Sequence, residues 1–216
     1  MENSLFNEIK KAMFEYNDVY IKELVEKCIQ EGVNPIDVIN VLTDSIAVIG
    51  DRFEKGELWL PDLMMAAKTM QTAMKPLEEE LKKRGLKRST YGKVVIGTVY
   101  GDLHDIGKNM VSTMLSANGF EVIDLGVNVD SNKFIEAIDK YKPDILALSA
   151  LLTTTAAEQE RVISALKKAG IKDKVKVMVG GGAITQEFAD KIGADGYEPT
   201  AVLAVKLAKK FVGAES

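Results

Sequence analysis

Val94-Val95-Ile96-Gly97-Thr98-Val99-Tyr100-Gly101-Asp102-Leu103-His104-Asp105-Ile106-Gly107-Lys108 decides the fold of this 216-residue chain. The run from Val94 to Val99 is short, apolar and β-branched, which predicts a buried strand. A turn follows, and a helical pattern takes over from about 106 to 117. That turn carries the one histidine of the chain. A lone imidazole at a strand-to-helix turn is either a satisfied polar residue or a chemical group. Asp102, two residues earlier, can accept the proton of one ring nitrogen and leave the other nitrogen free for a metal. Gly107, three residues later, removes a side chain where something bulky could approach the backbone.

Working outward toward the C-terminus, the same alternation repeats. Strands are expected at Phe120 to Leu125, Ile145 to Ser149, Val175 to Val179 and, shorter, Gly196-Tyr197. Helices are expected at about 131–141, 155–169, 185–192 and 200–212. Such alternation requires a mostly parallel sheet covered on both faces, here a flavodoxin-like (Rossmann-like) doubly wound α/β domain over 92–216. Ligands in these sheets bind beyond the carboxyl ends of the strands. Three loops should open there: Asp102 to Gly107 after the first strand, Ser149-Ala150-Leu151-Leu152-Thr153-Thr154-Thr155 after the third, and Gly180-Gly181-Gly182-Ala183 after the fourth. The glycine run suits either a ligand lying on bare backbone or a plain chain reversal. A Gly-x-x-x-x-Gly-Lys-Ser/Thr phosphate loop is missing.

Toward the N-terminus the period changes to three and four. Residues 1–88 read as an all-α four-helix bundle, with apolar positions at Leu5, Ile9, Ala12 and Met13, then Val19, Leu24, Val25 and Cys28. Gly32 ends the second helix, and Asn34-Pro35 caps and starts the third, whose stripe is Ile36, Ile39, Leu42, Ile46, Ile49 and Phe53. The fourth begins near Pro61 and runs through Leu63, Met64, Ala67, Met70, Met74, Leu77 and Leu81 to Gly85. Pro76 should kink or break it. Short connections imply antiparallel neighbours.

Composition narrows the function. With 46% hydrophobic residues the chain can build real cores. Residues 1–92 hold 13 Lys and Arg against 16 Asp and Glu, and the rest 15 against 16, so neither half is built to grip a polyanion. One cysteine, Cys28, excludes an intrachain disulfide and reads as a buried thiol in a reducing cytosol. Neither a signal peptide nor an apolar run of membrane-spanning length is visible, so a cytoplasmic protein without nucleic-acid or membrane partners is expected. One His and one Cys cannot assemble a zinc site of the usual type. No Gly-x-Ser-x-Gly elbow positions a serine nucleophile for His104.

Asp-x-His-x-x-Gly, then Ser-x-Leu, then Gly-Gly, each after its own strand and all preceded by a helical bundle, resembles a known family. It is the corrinoid-binding module shared by cobalamin-dependent methionine synthase and the small corrinoid proteins of anaerobic methyltransferase systems. The resemblance spans essentially the whole chain. It implies cobalamin as cofactor, cycling between methylcobalamin and cob(I)alamin, with His104 as the lower axial ligand to cobalt in place of the cofactor's own base. Asp102 would hold the other ring nitrogen, and Thr155 would complete the relay with threonine where the family often has serine. Gly97, Ser149, Leu151, Gly181 and Gly182 would line the slot for the displaced nucleotide tail, and Asp105, Ile106, Gly107, Thr153 and Gly180 belong to the same cofactor-binding loops. The segment Tyr197 to Thr200 would close the slot's far side. In the bundle, Glu57-Leu58-Trp59-Leu60-Pro61 resembles the family's lid, making Trp59 and Met64 candidates for the cofactor's upper face, with plain bundle core as their alternative. Lys87 to Gly92 would be the hinge that lets the lid move.

The implied activity is that of a non-catalytic subunit. A substrate-specific corrinoid methyltransferase would load the cobalt from a methylamine, a quaternary amine or methanol, and a second methyltransferase would pass the methyl to a folate or thiol. A reductive activation protein completes the implied partners. The alternative is a corrinoid-dependent sensor without methyl transfer.

Overall fold

The computed structural model describes residues 2–86 and 90–214. The chain divides into two compact units, Met1–Ser89 and Thr90–Ser216. Of the segment expected to act as a hinge, residues 87–89 lie outside the described residues.

The first unit consists of α1 (Glu2–Phe14), α2 (Asp18–Gln30), α3 (Pro35–Glu54) and α4 (Leu60–Lys83). Asn17 and Asn34 cap α2 and α3 by accepting the Tyr20 and Ile36 amides, as short polar side chains do at helix starts. Leu5, Ile9, Ala12 and Met13 are buried, with Leu24, Val25 and Cys28, so the apolar period correctly located most of the core. Val19 is an exception and lies exposed. The inward stripe of α2 is set by Ile21, Leu24, Val25 and Cys28, and a residue two positions before Ile21 faces away. Buried Thr69 of α4 donates to Asp18 of α2 at 2.7 Å.

Pro76 neither breaks nor ends α4, which continues through it to Lys83. Proline in a helix interior costs about 3 kcal/mol. Met70, Ala73 and Met74 before it and Leu77 and Leu81 after it are all buried. At about 1.5–3 kcal/mol per large side chain, burying Leu77 and Leu81 alone offsets that cost.

The second unit is a five-stranded parallel sheet in the order β2-β1-β3-β4-β5. Its elements are β1 (Lys93–Thr98), α5 (Ile106–Ala117), β2 (Glu121–Asp124), α6 (Ser131–Tyr141), β3 (Ile145–Ser149), α7 (Thr153–Lys168), β4 (Lys176–Gly180), α8 (Gln186–Ile192), β5 (Gly196–Tyr197) and α9 (Ala201–Phe211), with a 3₁₀ turn at Lys172–Lys174. The doubly wound reading therefore holds, and the strand order reverses between β1 and β3, where such sheets bind ligands. Register makes this edge level, because Thr98 pairs with Ser149 and Ser149 with Gly180. The loops after β1, β3 and β4 thus leave the sheet side by side. Gly180 is a strand residue, so the glycine run begins inside the sheet. Gly97 is fixed by packing, since a Cβ there would meet the Phe134 ring of α6 at 2.9 Å.

Candidate cofactor site

Thr98 ends β1 fully buried, and its hydroxyl donates to the His104 carbonyl at 3.0 Å. This bond ties the turn back onto the strand that starts it. From the other side Asn128, in the loop after β2, accepts the Gly101 amide at 2.8 Å and donates its own amide to the Asp102 carbonyl at 3.0 Å. Asn128 does so with φ +55°, a left-handed conformation that Asn tolerates better than most residues. Beyond the turn, Asp105 precedes α5 and holds Asn109, whose carbonyl oxygen accepts from the buried Lys108 ammonium. Lys108 also pairs with Asp124 at the end of β2.

Asp102 is the organising group and is 1% exposed. Its Oδ1 accepts the backbone amide of His104 at 3.0 Å and faces the His104 Nδ1 at 2.7 Å. Its Oδ2 accepts the Leu151 amide at 2.8 Å and the Thr155 hydroxyl at 2.6 Å. Burial works against the charged form, but these four hydrogen bonds outweigh it and hold the carboxyl well below the usual carboxylate range. An ionised Asp102 accepts a hydrogen bond from the Nδ1–H of a neutral imidazole, which leaves the Nε2 lone pair unengaged. The His104 side chain is 53% exposed, so that nitrogen is open to solvent while its partner is sealed.

The Asp102, His104 and Thr155 grouping expected from the sequence is therefore assembled, across 53 positions between Asp102 and Thr155. Around it the chain exposes Tyr100, Leu103, Ile106, Leu151 and Leu152, five large apolar side chains on the two neighbouring loops after β1 and β3. Asp105, Gly107 and Thr153 are also exposed, and Ser149 half-buried. Gly107 and Gly180 have open space where a Cβ would stand. Gly181 and Gly182 instead pack on the loop after β3: a Cβ on Gly181 would lie 1.8 Å from the Ala150 carbonyl oxygen, and one on Gly182 2.8 Å from the Leu151 side chain. Gly181 also has φ +128°. Gly181→Ala is expected to lower the thermal midpoint of the α/β unit by about 5 °C or more, read by circular dichroism. An unchanged midpoint would mean that the two loops separate freely. Tyr197 is half-buried against the sheet core.

In the first unit Trp59 is 76% exposed, and Leu60, Met64 and Met65 beside it are exposed too. Trp59 and Met64 are thus not core residues of their bundle. The turn carrying Trp59 is nevertheless anchored, because Asp62 accepts the Trp59 amide at 2.7 Å. Thr98, Asn128 and Lys108 carried no signal of their own in the sequence. Each acts through a partner that only folding brings near.

A half-open imidazole on a buried carboxylate, ringed by apolar side chains and bare backbone, suits a large planar metal macrocycle. Among the described residues no three His, Cys, Asp or Glu side chains are grouped to hold a metal ion by themselves, so a metal at His104 needs further ligands such as a corrin supplies. Comparison with known proteins bears on the same point. Residues 92–206 and 5–78 each match a model described as a B12 binding domain. The trimethylamine corrinoid protein 2 of Methanosarcina acetivorans is 42% identical over 204 residues, covering 94% of each chain. The dimethylamine corrinoid protein of Methanosarcina barkeri is 43% identical over 212 residues, covering 98% of this chain and 99% of its own. In the crystal structure of a methanol:cobalamin methyltransferase complex from Methanosarcina barkeri, one chain is 33% identical with a TM-score of 0.87, covering all of this chain and 82% of its own.

Fold and site together define a cobalamin-binding module with its own helical unit. The chain belongs to the corrinoid proteins of methyltransferase systems. Cobalamin is its cofactor.

Proposed function

We propose that this protein is the methyl-carrying subunit of a corrinoid methyltransferase system, with His104 as the protein ligand to the metal. The single observation that carries the reading is the hydrogen-bonded chain from Thr155 through Asp102 to His104, which fixes one ring nitrogen and leaves the other outward. When bound, the corrinoid supplies a metal centre that accepts and releases a methyl group. Everything else falls to the polypeptide. Thr155 and the Leu151 amide hold the Oδ2 side of Asp102, Asp102 holds the Nδ1 proton of His104, and Nε2 is presented at a constant tautomer. The apolar rim of Tyr100, Leu103, Ile106, Leu151 and Leu152 gives a large flat ligand area to cover. Trp59 and Met64 are exposed apolar side chains of the helical unit, and we propose them for contact with the cofactor's upper face.

The donors named among the relatives, a methylamine or methanol, are the donor classes we propose here. The acceptor is a folate or thiol reached through a second methyltransferase, and a reductive activation protein restores the carrier after oxidation. The test is transfer of a labelled methyl group. The reconstituted, reduced protein is incubated with a methylamine- or methanol-specific corrinoid methyltransferase and isotopically labelled donor. About one methyl per protein should remain with it through gel filtration and leave when the second enzyme is added. Label retained equally by the His104→Ala protein, or by no protein with any of these donors, would sink the carrier reading.

A further inference from the structure

Lys108 is buried, at 3% exposure, and the chemistry proposed for the site makes no use of its charge. It is the third residue of α5, in the first turn, where the helix dipole disfavours a cation. Asp105, which precedes that helix, would ordinarily accept a first-turn amide, yet its side chain makes no such bond. It is turned instead to Asn109, whose Nδ2 donates to it at 3.0 Å. Neither residue serves the helix that it opens.

Their bonds close a ring. The Thr98 amide donates to the Gly126 carbonyl at 3.0 Å, and the Gly126 amide donates to Asp124 Oδ1 at 2.8 Å. Asp124 Oδ2 pairs with the Lys108 ammonium, which also donates to Asn109 Oδ1 at 2.6 Å. Asn109 then holds Asp105 twice, through its side-chain amide and through its backbone amide, which donates to the Asp105 carbonyl at 2.7 Å. Asp105 follows His104, and the His104 carbonyl accepts the Thr98 hydroxyl, which returns the ring to its origin. The register permits this: Asp124 pairs with Ile96, so the side chains of Asp124 and of Thr98, two residues beyond Ile96, stand on one face of the sheet. Asn128 holds the near end of the turn at Gly101. Lys108 joins β2 to the far end, and it does so with an ammonium sealed from water, an arrangement that is costly to keep.

We propose that Lys108 is a positioning residue for the cofactor: by closing this ring it fixes the far end of the Asp102–Gly107 turn, so that His104 is presented to the metal in one place. The proposal rests on the reading of His104 as the metal ligand. Lys108→Met keeps the length of the side chain and removes the ammonium. Asp124 can then turn to water, its side chain being 34% exposed. Equilibrium dialysis with aquocobalamin is run on the wild type, Lys108→Met, His104→Ala and the double variant. Loss of a group that supports a ligand weakens metal binding about 10- to 100-fold, so Lys108→Met should bind roughly 10-fold more weakly than wild type. In the His104→Ala background the same substitution should change affinity by no more than about twofold, because no ligand is left to position. Cobalt(II) protein carrying ¹⁵N-histidine gives a second readout. At full occupancy the splitting from the His104 nitrogen should weaken in Lys108→Met, a change that lost stability alone would not cause.

An equal loss in both backgrounds would make Lys108 a general support of the fold and overturn the proposal. So would unchanged binding in Lys108→Met. A His104→Ala protein that binds as tightly as wild type would instead remove the ligand reading itself, a different failure from either. Should Lys108→Met fold poorly, Asn109→Ala cuts the ring at its next link, on an exposed residue, and leaves the pair of Lys108 with Asp124 in place. It should show the same dependence on His104; unchanged binding, or a loss indifferent to His104, would refute the positioning role.

Discussion

Protein labelled with ¹⁵N-histidine and loaded with cobalamin in the cobalt(II) state should show a two-line nitrogen splitting in its paramagnetic resonance spectrum, where unlabelled protein shows three lines. The label enters one position only, because His104 is the only histidine in the chain. The cofactor's own base also carries nitrogen, so a three-line pattern by itself would not identify the ligand. The isotope does. In His104→Ala the splitting from a protein nitrogen should vanish completely, leaving either no nitrogen pattern or one indifferent to the label. The geometry behind this expectation is the unengaged Nε2 of a ring whose Nδ1 is held 2.7 Å from Asp102. A three-line spectrum that survives labelling would overturn the ligand assignment and with it the carrier reading as stated.

Asp102→Asn carries the second large effect, and on two properties at once. The carboxylate accepts four donors, two on each oxygen, from inside the protein. An asparagine of the same shape offers one oxygen, so one pair of donors is left facing an amide nitrogen. At about 1–3 kcal/mol for each of the two buried unpaired groups the loss is roughly 2–6 kcal/mol. A fall of roughly 5–15 °C in the thermal midpoint of the α/β unit follows. The ring loses its fixed tautomer as well, and Nε2 is then protonated in part of the population and unable to bind metal.

The pH dependence of this deficit has a definite sign. The Asp102 carboxyl titrates below its ordinary range in the folded protein, because its hydrogen bonds outweigh the burial that opposes ionisation. Its stabilisation is complete above the unfolded value of about 3.9 and is lost as pH falls toward the folded value. The difference in midpoint between wild type and Asp102→Asn should therefore stay constant from pH 5 to 7, within about 1 °C, and shrink below about pH 4. A difference that stays flat down to pH 2 would show that Asp102 is not ionised in the folded state.

Much of the framework was legible in the chain itself. Parallel strands buried on both faces write continuous apolar runs, and bundle helices write stripes at three and four, so both patterns appeared without any long-range knowledge. The residues around Pro76 and Val19 show where local rules fall short. Proline's cost is local, whereas the burial that offsets it comes from the neighbouring helices. Val19 belongs to an apolar series on paper, but Ile21 fixes which face of α2 turns inward.

The candidate site divides along the same line. His104 and Asp102 are two residues apart, so their pairing is a property of one turn and can be read from that turn. Thr98, Asn128 and Lys108 look like ordinary polar residues, and each makes its decisive bond to a loop or strand end supplied by another part of the sheet. Gly181 is explained by an Ala150 carbonyl oxygen 1.8 Å from where its side chain would stand, a distance no spacing of residues encodes.

By itself, then, the sequence determined the two architectures, the order of the strands along the chain, and which loop carries the imidazole. These follow from side-chain period and backbone preference, which act over a few residues. Tertiary structure alone decided that Asp102 would be sealed under four donors while His104 stayed open, and that Lys108 would be buried against Asp124. Burial and hydrogen bonding depend on atoms that neighbour one another only after residues about fifty positions apart have been packed side by side, as with Asp102 and Thr155.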